Sequence, residues 1–542
     1  MNEPLISDAV EGAQGNRGFQ VAGMPVWALA FLALTAAVSL ITAHFRLMGG
    51  DDFLEVWCDR VSSIGQLVHI QRTTPLVIDP FFYHGLTFVG IRLFGVSPFF
   101  LRLPSLLGFL LMQVCLFYFV RRITSVRPAV FALALPMISG TFDYTLWIRP
   151  YGVLLGLFGL AMLSWQTAIR REEHRAGALV VLALSIAAAI NSQYYGVLLM
   201  LPLCAGEGVR LWQRRRLDVP MLLSLGAGLA GIVFVLPFMK GAAEFRAHYK
   251  AGNVPYQSIT QTYNSLALGE SLFTKHTNHL LAILLAVAIA LVLWSVTRQW
   301  REKTLRLQDA EFVFLLTLAA MPVFAFLLGH FVTHAMESRY AIGAILGIVA
   351  LLSIALVPLL ENRVAGFVVL ALLAAGFTWR GMQGVRNQRT VRDRALASLV
   401  VSPKVMEAIM ATRSQMLYTQ DIDVIGLLAF QDPDAQILQH ITLVDSLQEE
   451  MRWNHSETYS RIVANLGTFT PYTITPYESV IDEPGEHLFM VTHEGWSWLD
   501  KAFASGELQV TPMGQAFGAE IVSVHVPPTV RGSTSTIERS LQ

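Results

Sequence analysis

Between residues 25 and 377 the chain carries one apolar run after another, separated by polar gaps. No other feature limits its fold so tightly, because a run of about 20 mostly apolar residues is what a bilayer-spanning helix needs. The runs are 25–43, 99–120, 129–139, 146–168, 176–190, 195–211, 219–238, 280–296, 311–331, 340–360 and 365–377. With 54% hydrophobic and 14% charged residues, the chain is too apolar for a single soluble domain. Residues 1–24 are polar and lack a basic stretch ahead of the first run, so that run reads as an uncleaved first helix rather than a signal peptide.

The gaps set the topology. Arg121, Arg122 and Arg127 form one basic cluster. Arg170, Arg171 and Arg175 form the next, followed by Arg210 with Arg214 to Arg216, then Arg298, Arg301, Lys303 and Arg306. The positive-inside rule puts all four on the cytoplasmic side. They share a side only if 80–94, apolar and aromatic as it is, does not cross. That segment reads as a helix lying in the membrane interface. The expectation is an α-helical polytopic membrane protein of about eleven transmembrane helices, N-terminus inside, with interfacial helices in a long first outer loop, 44–98. Its parts are a cytoplasmic tail (1–24), a transmembrane domain (25–379), an extracytoplasmic domain (380–526) and a flexible tail (527–542).

After 377 the composition turns polar and mixed. Segments 415–419, 441–444, 488–492 and 520–526 read as strands, and 424–430, 446–465 and 496–503 as helices. The alternation points to a soluble α/β domain with a small, parallel-type sheet. That domain has neither a GxGxxG nor a P-loop. Lys plus Arg and Asp plus Glu are 39 each, so no basic excess marks a nucleic-acid surface. Cys58, Cys115 and Cys204 are widely spaced and form no CxxC pair, which argues against a thiolate metal site or disulfide scaffold.

The chemistry-bearing residues gather at the outer ends of the runs. Asp51 and Asp52 follow the first helix, with Glu55 and Asp59 at helical spacing after them. Such a carboxylate pair can act as a general base or hold a divalent cation. It can equally be a helix N-terminus favoured by the dipole, with the later acids a solvated stripe. Asp79, Tyr83 and His84 open the interfacial segment; Arg149 and Tyr151 open the fourth run; Gln193, Tyr194 and Tyr195 the sixth; His334, Glu337, Arg339 and Tyr340 the tenth. Tyrosines at this depth also form ordinary aromatic belts. Arg149 and Arg339 lie on the side the positive-inside rule depletes. Their planar forks call for an internal carboxylate or an anionic ligand such as a phosphate.

These segments, taken in order, resemble C-type membrane glycosyltransferases related to protein O-mannosyltransferases and aminoarabinose transferases. The resemblance rests on Gly50-Asp51-Asp52-Phe53, Asp79-Pro80-Phe81-Phe82-Tyr83-His84, Phe94-Gly95-Val96-Ser97, Leu101-Arg102-Leu103-Pro104-Ser105, Ile148-Arg149-Pro150-Tyr151, Gln193-Tyr194-Tyr195-Gly196 and Ser338-Arg339-Tyr340. It implies sugar transfer from a polyprenyl-phosphate-linked donor to a glycan, lipid or protein acceptor. The reaction would occur on the extracytoplasmic face of a bacterial inner (plasma) membrane. It implies Asp51 as base and Asp52 as its assistant or a metal ligand. Arg149 and Arg339 would hold the lipid phosphate, and Tyr151, Tyr194, Tyr340, His84 and Gln193 would complete the substrate-binding set. A divalent metal ion is compatible with the acidic pair. Two departures from the family pattern stand out. Trp147 occupies a position often acidic, with Asp143 the nearest acid, and Gln193 stands where histidine is common. The rival readings are a transporter or flippase of lipid-linked sugars and a noncatalytic envelope-assembly protein. The first would show internal repeats or helices broken at matching midplane positions, and no clear repeat is present.

Overall fold

The computed structural model describes residues 20–21, 23–247, 254–269, 278–399, 401–492, 497–506 and 509–527. Nearly all of the two expected tails, 1–24 and 527–542, lies outside the described residues.

Helix of some kind occupies each of the eleven apolar runs. Five helices are long and apolar enough to cross a membrane unbroken: Val26–Phe45, Pro98–Ile123, Tyr151–Arg170, Arg175–Ser192 and Arg363–Ser398. Two bent pairs, Val219–Phe234 with Leu236–Ala243 and Asp309–Ala319 with Met321–Thr333, raise this to seven among the described residues. The expected eleven therefore counts helical runs, not unbroken crossings. Proline accounts for the breaks in four of these runs. Pro136, Pro237, Pro322 and Pro358 each sit one residue inside a new helical segment, at 135–138, 236–247, 321–328 and 357–361. A proline there lacks the N–H needed to continue the preceding helix, but it starts the next one well. Hydropathy alone does not register such breaks.

Phe81–Phe94 has 14 residues. At 1.5 Å per residue it is about 21 Å long, short of the roughly 30 Å hydrocarbon core. It is too short to cross by itself, and segment 44–98 holds two further helices, Gly50–Asp59 and Ile64–Thr73.

Helices Pro98–Ile123 and Tyr151–Arg170 approach very closely. A Cβ on Gly152 would fall 2.1 Å from the Ser105 carbonyl oxygen, and one on Gly108 2.3 Å from the Gly152 oxygen. Only glycine permits this spacing. The Ser105 hydroxyl then bridges the pair. It donates to the Arg149 carbonyl at 3.1 Å and accepts the Gly152 N–H at 3.0 Å. The start of the fourth run is thereby held against the second. At the basic end, Arg170 and Gln166 both bind the buried Glu311 carboxylate.

The long helix Arg363–Ser398 runs past residue 379, where the composition changes, and leads into the α/β domain. Among its described residues that domain has six strands: β1 (Leu417–Thr419), β2 (Ile441–Asp445), β3 (Ile474–Pro476), β4 (Gly485–Val491), β5 (Val510–Ala516) and β6 (Ala519–Val526). They lie in the order β3-β2-β1-β4-β6-β5. The first four pair in parallel, and β6 runs antiparallel to both β4 and β5. The sheet is thus mixed rather than parallel throughout. Strands β3 and β5 carry no apolar alternation strong enough to show in the sequence. The segment read as one helix over 446–465 is two, Leu447–Asn454 and Thr458–Phe469. His455 adopts a left-handed conformation between them (φ 52°), which ends the first. The helix expected over 496–503 is Trp498–Ala504; its first expected residue lies outside the described residues.

The two parts share a hydrophobic core. Leu417, Leu443 and Leu488 from one face of the sheet pack in one cluster with Phe53, Val56 and Trp57 of the acidic loop helix. The opposite face, Tyr418, Val444 and Phe489, packs against Trp498, Leu499 and Phe503. Phe53 stacks on Phe430 at 5.7 Å, and Trp57 meets Tyr472 edge-on at 5.4 Å. A Cβ on Gly426 would meet the Phe53 ring at 2.7 Å, so the helix Ile422–Gln431 needs glycine where it crosses that ring. The α/β domain is therefore seated on the helix that carries Asp51 and Asp52.

Candidate active site

Helix Gly50–Asp59 starts at an extended Gly49 and places Asp51 and Asp52 in its first turn. Unsatisfied N–H groups and the positive end of the dipole favour carboxylates there. With 3.6 residues per turn, Asp51, Glu55 and Asp59 share one face, while Asp52 is rotated away. That rotation separates the two aspartates.

Asp51 Oδ2 lies 2.8 Å from Arg149 Nη2 and 4.0 Å from Arg339 Nη1. Its side chain is 35% exposed. The Arg149 guanidinium holds the Asp51 carboxyl below the usual carboxylate range, against the opposing pull of partial burial. Asp52 has both oxygens engaged elsewhere. Oδ2 pairs with Arg102 at 3.0 Å, and Oδ1 accepts the Ile148 N–H at 2.8 Å. Arg102 is fully buried and also donates to the carbonyls of Ala43, Arg46 and Leu47. Asp52 thus knits the end of the first helix, the second run and the Arg149 segment together.

Arg149 is the hub of the site. Besides Asp51 it binds Asp79 at 2.9 Å and Glu55 at 3.3 Å through Nη1. Three carboxylates leave it little capacity for a ligand. Arg339 is 25% exposed, with the long Asp51 contact as its ion pair.

Two cavities meet at Asp51 and Arg339. The first, about 420 Å³, is also lined by Arg149, Asp79, Tyr151, Gln193, Tyr194 and Tyr340. Leu54, Leu76 and Val77 line it too, as do Thr458 and Ile462 of the α/β domain. Tyr195 and Tyr340 stack at 4.5 Å across it. The second, about 950 Å³, lies between the acidic helix, the end of Arg363–Ser398 and the α/β domain. Arg46, Asp52, Trp147, Arg394, Asp421 and Asp423 line it.

The structure thus brings nine of the sequence-selected residues to one cavity: Asp51, Asp79, Arg149, Tyr151, Gln193, Tyr194, Tyr195, Arg339 and Tyr340. Asp52 lines only the second. His84 lines neither. It is completely buried behind Arg149, with Nδ1 2.9 Å from Asp59 Oδ1 and 3.1 Å from Glu55 Oε1. Burial pushes the Glu55 carboxyl up to about 8, although His84 and Arg149 act against it. Burial alone would lower the His84 imidazole; Glu55 and Asp59 override it and raise it to about 9. Burial also raises Asp59, opposed by His84.

Asp79 was singled out in the sequence by its position and its motif, without a role; its 2.9 Å bond to Arg149 makes it part of the site. Glu55 carried a clearer signal, the i,i+4 spacing from Asp51. Thr458 and Ile462 had no sequence signal at all. The departures resolve simply. Trp147 takes the Arg46 guanidinium over its ring at 5.5 Å, and Asp143 pairs with Arg380 at 2.7 Å, so neither supplies an acid beside Arg149.

The sequence profile of the family described as dolichyl-phosphate-mannose-protein mannosyltransferase matches residues 79–239. The fold is similar to the crystal structure of ArnT from Cupriavidus metallidurans bound to undecaprenyl phosphate. That match has a TM-score of 0.54 at 14% identity and covers 92% of this chain and 98% of that one. The same protein in the apo state matches with a TM-score of 0.53 at 15% identity and the same coverage. No curated protein sequence matches the chain. The resemblance read from the sequence is borne out: this is a multi-pass membrane protein with the fold of a C-type glycosyltransferase.

Proposed function

We propose that the chain transfers a sugar from a polyprenyl-phosphate-linked donor to an acceptor hydroxyl of a lipid, glycan or protein. The reaction takes place on the extracytoplasmic face, opposite the basic clusters, of what we read as a bacterial inner membrane. The observation that carries this reading is the position of Asp51, held by Arg149 at 2.8 Å where the two cavities meet. The undecaprenyl phosphate bound by the similar ArnT supports a polyprenyl-phosphate carrier.

The tyrosine-lined cavity takes the sugar and its phosphate, and the second cavity takes the acceptor. Asp51, ionised and oriented by Arg149, accepts the proton of the acceptor hydroxyl as its oxygen bonds to the sugar C1. The bond from C1 to the phosphate oxygen breaks, and the phosphate leaves with both electrons. Charge develops on that oxygen through an oxocarbenium-like state, as in glycoside hydrolysis. Arg339, with spare hydrogen-bonding capacity, stabilises it. Arg149, saturated by three carboxylates, orients the base instead of clamping the phosphate. Asp52, occupied by Arg102 and Ile148, positions the helix and takes no proton.

The test is transfer from a polyprenyl-phosphate sugar by the purified chain in detergent. Detergent abolishes any gradient a flippase would act across. Asp51→Asn is expected to lower turnover by about 10²–10⁴-fold. Wild-type turnover in that variant would remove Asp51 as the base.

A further inference from the structure

Behind Arg149 the acidic helix and the helix Phe81–Phe94 bring three metal-ligand atoms to one point. His84 Nδ1 faces Asp59 Oδ1 at 2.9 Å and Glu55 Oε1 at 3.1 Å. One ligand atom from each of the three lies within 4.8 Å of the others, and all three side chains are completely buried. Glu55 and Asp59 are four apart on one helix, the spacing that puts two ligands on one face. A nitrogen has one proton at most to share between two carboxylates. Glu55 Oε1 and Asp59 Oδ2, fully buried, have no hydrogen-bond donor. Orphaned buried carboxylate oxygens are costly, and a cation is one of the few groups that satisfies several at once.

We infer that Glu55, Asp59 and His84 form a binding site for a divalent transition-metal ion, with Zn²⁺ the best match. One imidazole nitrogen and two carboxylate oxygens suit zinc rather than magnesium or calcium. Ligands at about 2.0–2.2 Å from zinc in a tetrahedral arrangement stand roughly 3.3 Å apart. The two imidazole-to-carboxylate separations, 2.9 and 3.1 Å, lie within a few tenths of an ångström of that spacing. The ion acts at a distance from the chemistry. Glu55 turns Oε1 to the cluster and Oε2 to Arg149, which in turn holds Asp51. The metal therefore makes Glu55, Arg149 and Asp51 one rigid unit. This consequence rests on the transfer reading; the site itself does not.

The experiment uses the full chain in detergent, stripped with chelator and re-equilibrated with Zn²⁺ alone. Elemental analysis is expected to give one zinc per chain, and X-ray absorption to show nitrogen and oxygen ligands including one imidazole, without sulfur. Zinc is also expected to raise the unfolding temperature of the wild-type chain, a readout that needs no variant. His84→Asn and Glu55→Gln should weaken retention by about tenfold or more, whereas Asp51→Asn should keep it. A wild-type chain that retains no zinc overturns the site, as does zinc lost in Asp51→Asn but kept in His84→Asn. Loss of transfer in Asp51→Asn with zinc retained separates the two readings, since either can then fail alone.

Discussion

The guanidinium of Arg149 is bonded to the Asp51 carboxylate at 2.8 Å, and the same side chain reaches Asp79 and Glu55. An arginine that reads as a substrate clamp in the sequence is thus engaged by protein carboxylates, and in the mechanism we propose it supports the base. Its own ligands are protein carboxylates.

This contact gives a pH signature. Asp51 must be ionised to accept a proton, and Arg149 lowers its pKa. A depressed carboxyl stays ionised above its folded-state pKa, and activity is lost only as pH falls through that value. The acidic limb of kcat/KM should therefore lie below the ordinary aspartate value of about 4. In Arg149→Gln the limb should move to higher pH by about one unit or more, because burial then acts on Asp51 with less opposition. An unmoved limb in that variant would refute the coupling.

Arg339 should behave differently. With its long contact to Asp51 and its place in both cavities, it is free to meet a developing phosphate charge. Arg339→Ala should reduce kcat/KM for the donor by roughly 10²–10³-fold, and Arg339→Lys should recover only part of it. Steady-state kinetics with varied donor would check this. Equal kinetics in all three proteins would take Arg339 out of the mechanism.

Asp52 is expected to matter for folding. Asp52→Ala leaves Arg102 buried without its carboxylate, a loss of about 3–5 kcal/mol. Thermal unfolding in detergent should show it clearly less stable than wild type. If its stability matches wild type, the Asp52–Arg102 pair is not the brace described here.

Much of this was legible without the fold. The apolar runs implied a polytopic helical protein, and the length of 80–94 implied a segment that stays at the surface of the membrane. Asp51, Arg149 and Arg339 were recognisable as unusual because charge at the outer ends of apolar helices needs a reason. The breaks were less visible, since a proline among apolar residues barely changes hydropathy. The pairing of Asp51 with Arg149, 98 residues apart, left no local trace. Nor did the seating of the α/β domain on Phe53 and Trp57, which brings Thr458 and Ile462 into the cavity wall.

Sequence alone determined the solvent each segment prefers and the chemistry each side chain can offer, because both are properties of residues and their immediate spacing. It put Asp51 and Asp52 side by side as equals. Only the tertiary structure divided them. One hundred degrees of helical rotation turns Asp51 to the cavities and Asp52 to Arg102, and what each carboxylate can do depends on the cation it meets. That same geometry moved His84 from the substrate groove to a buried cluster with Glu55 and Asp59. A side chain's function is set by its neighbours in space, and those are fixed by packing between elements far apart in the chain.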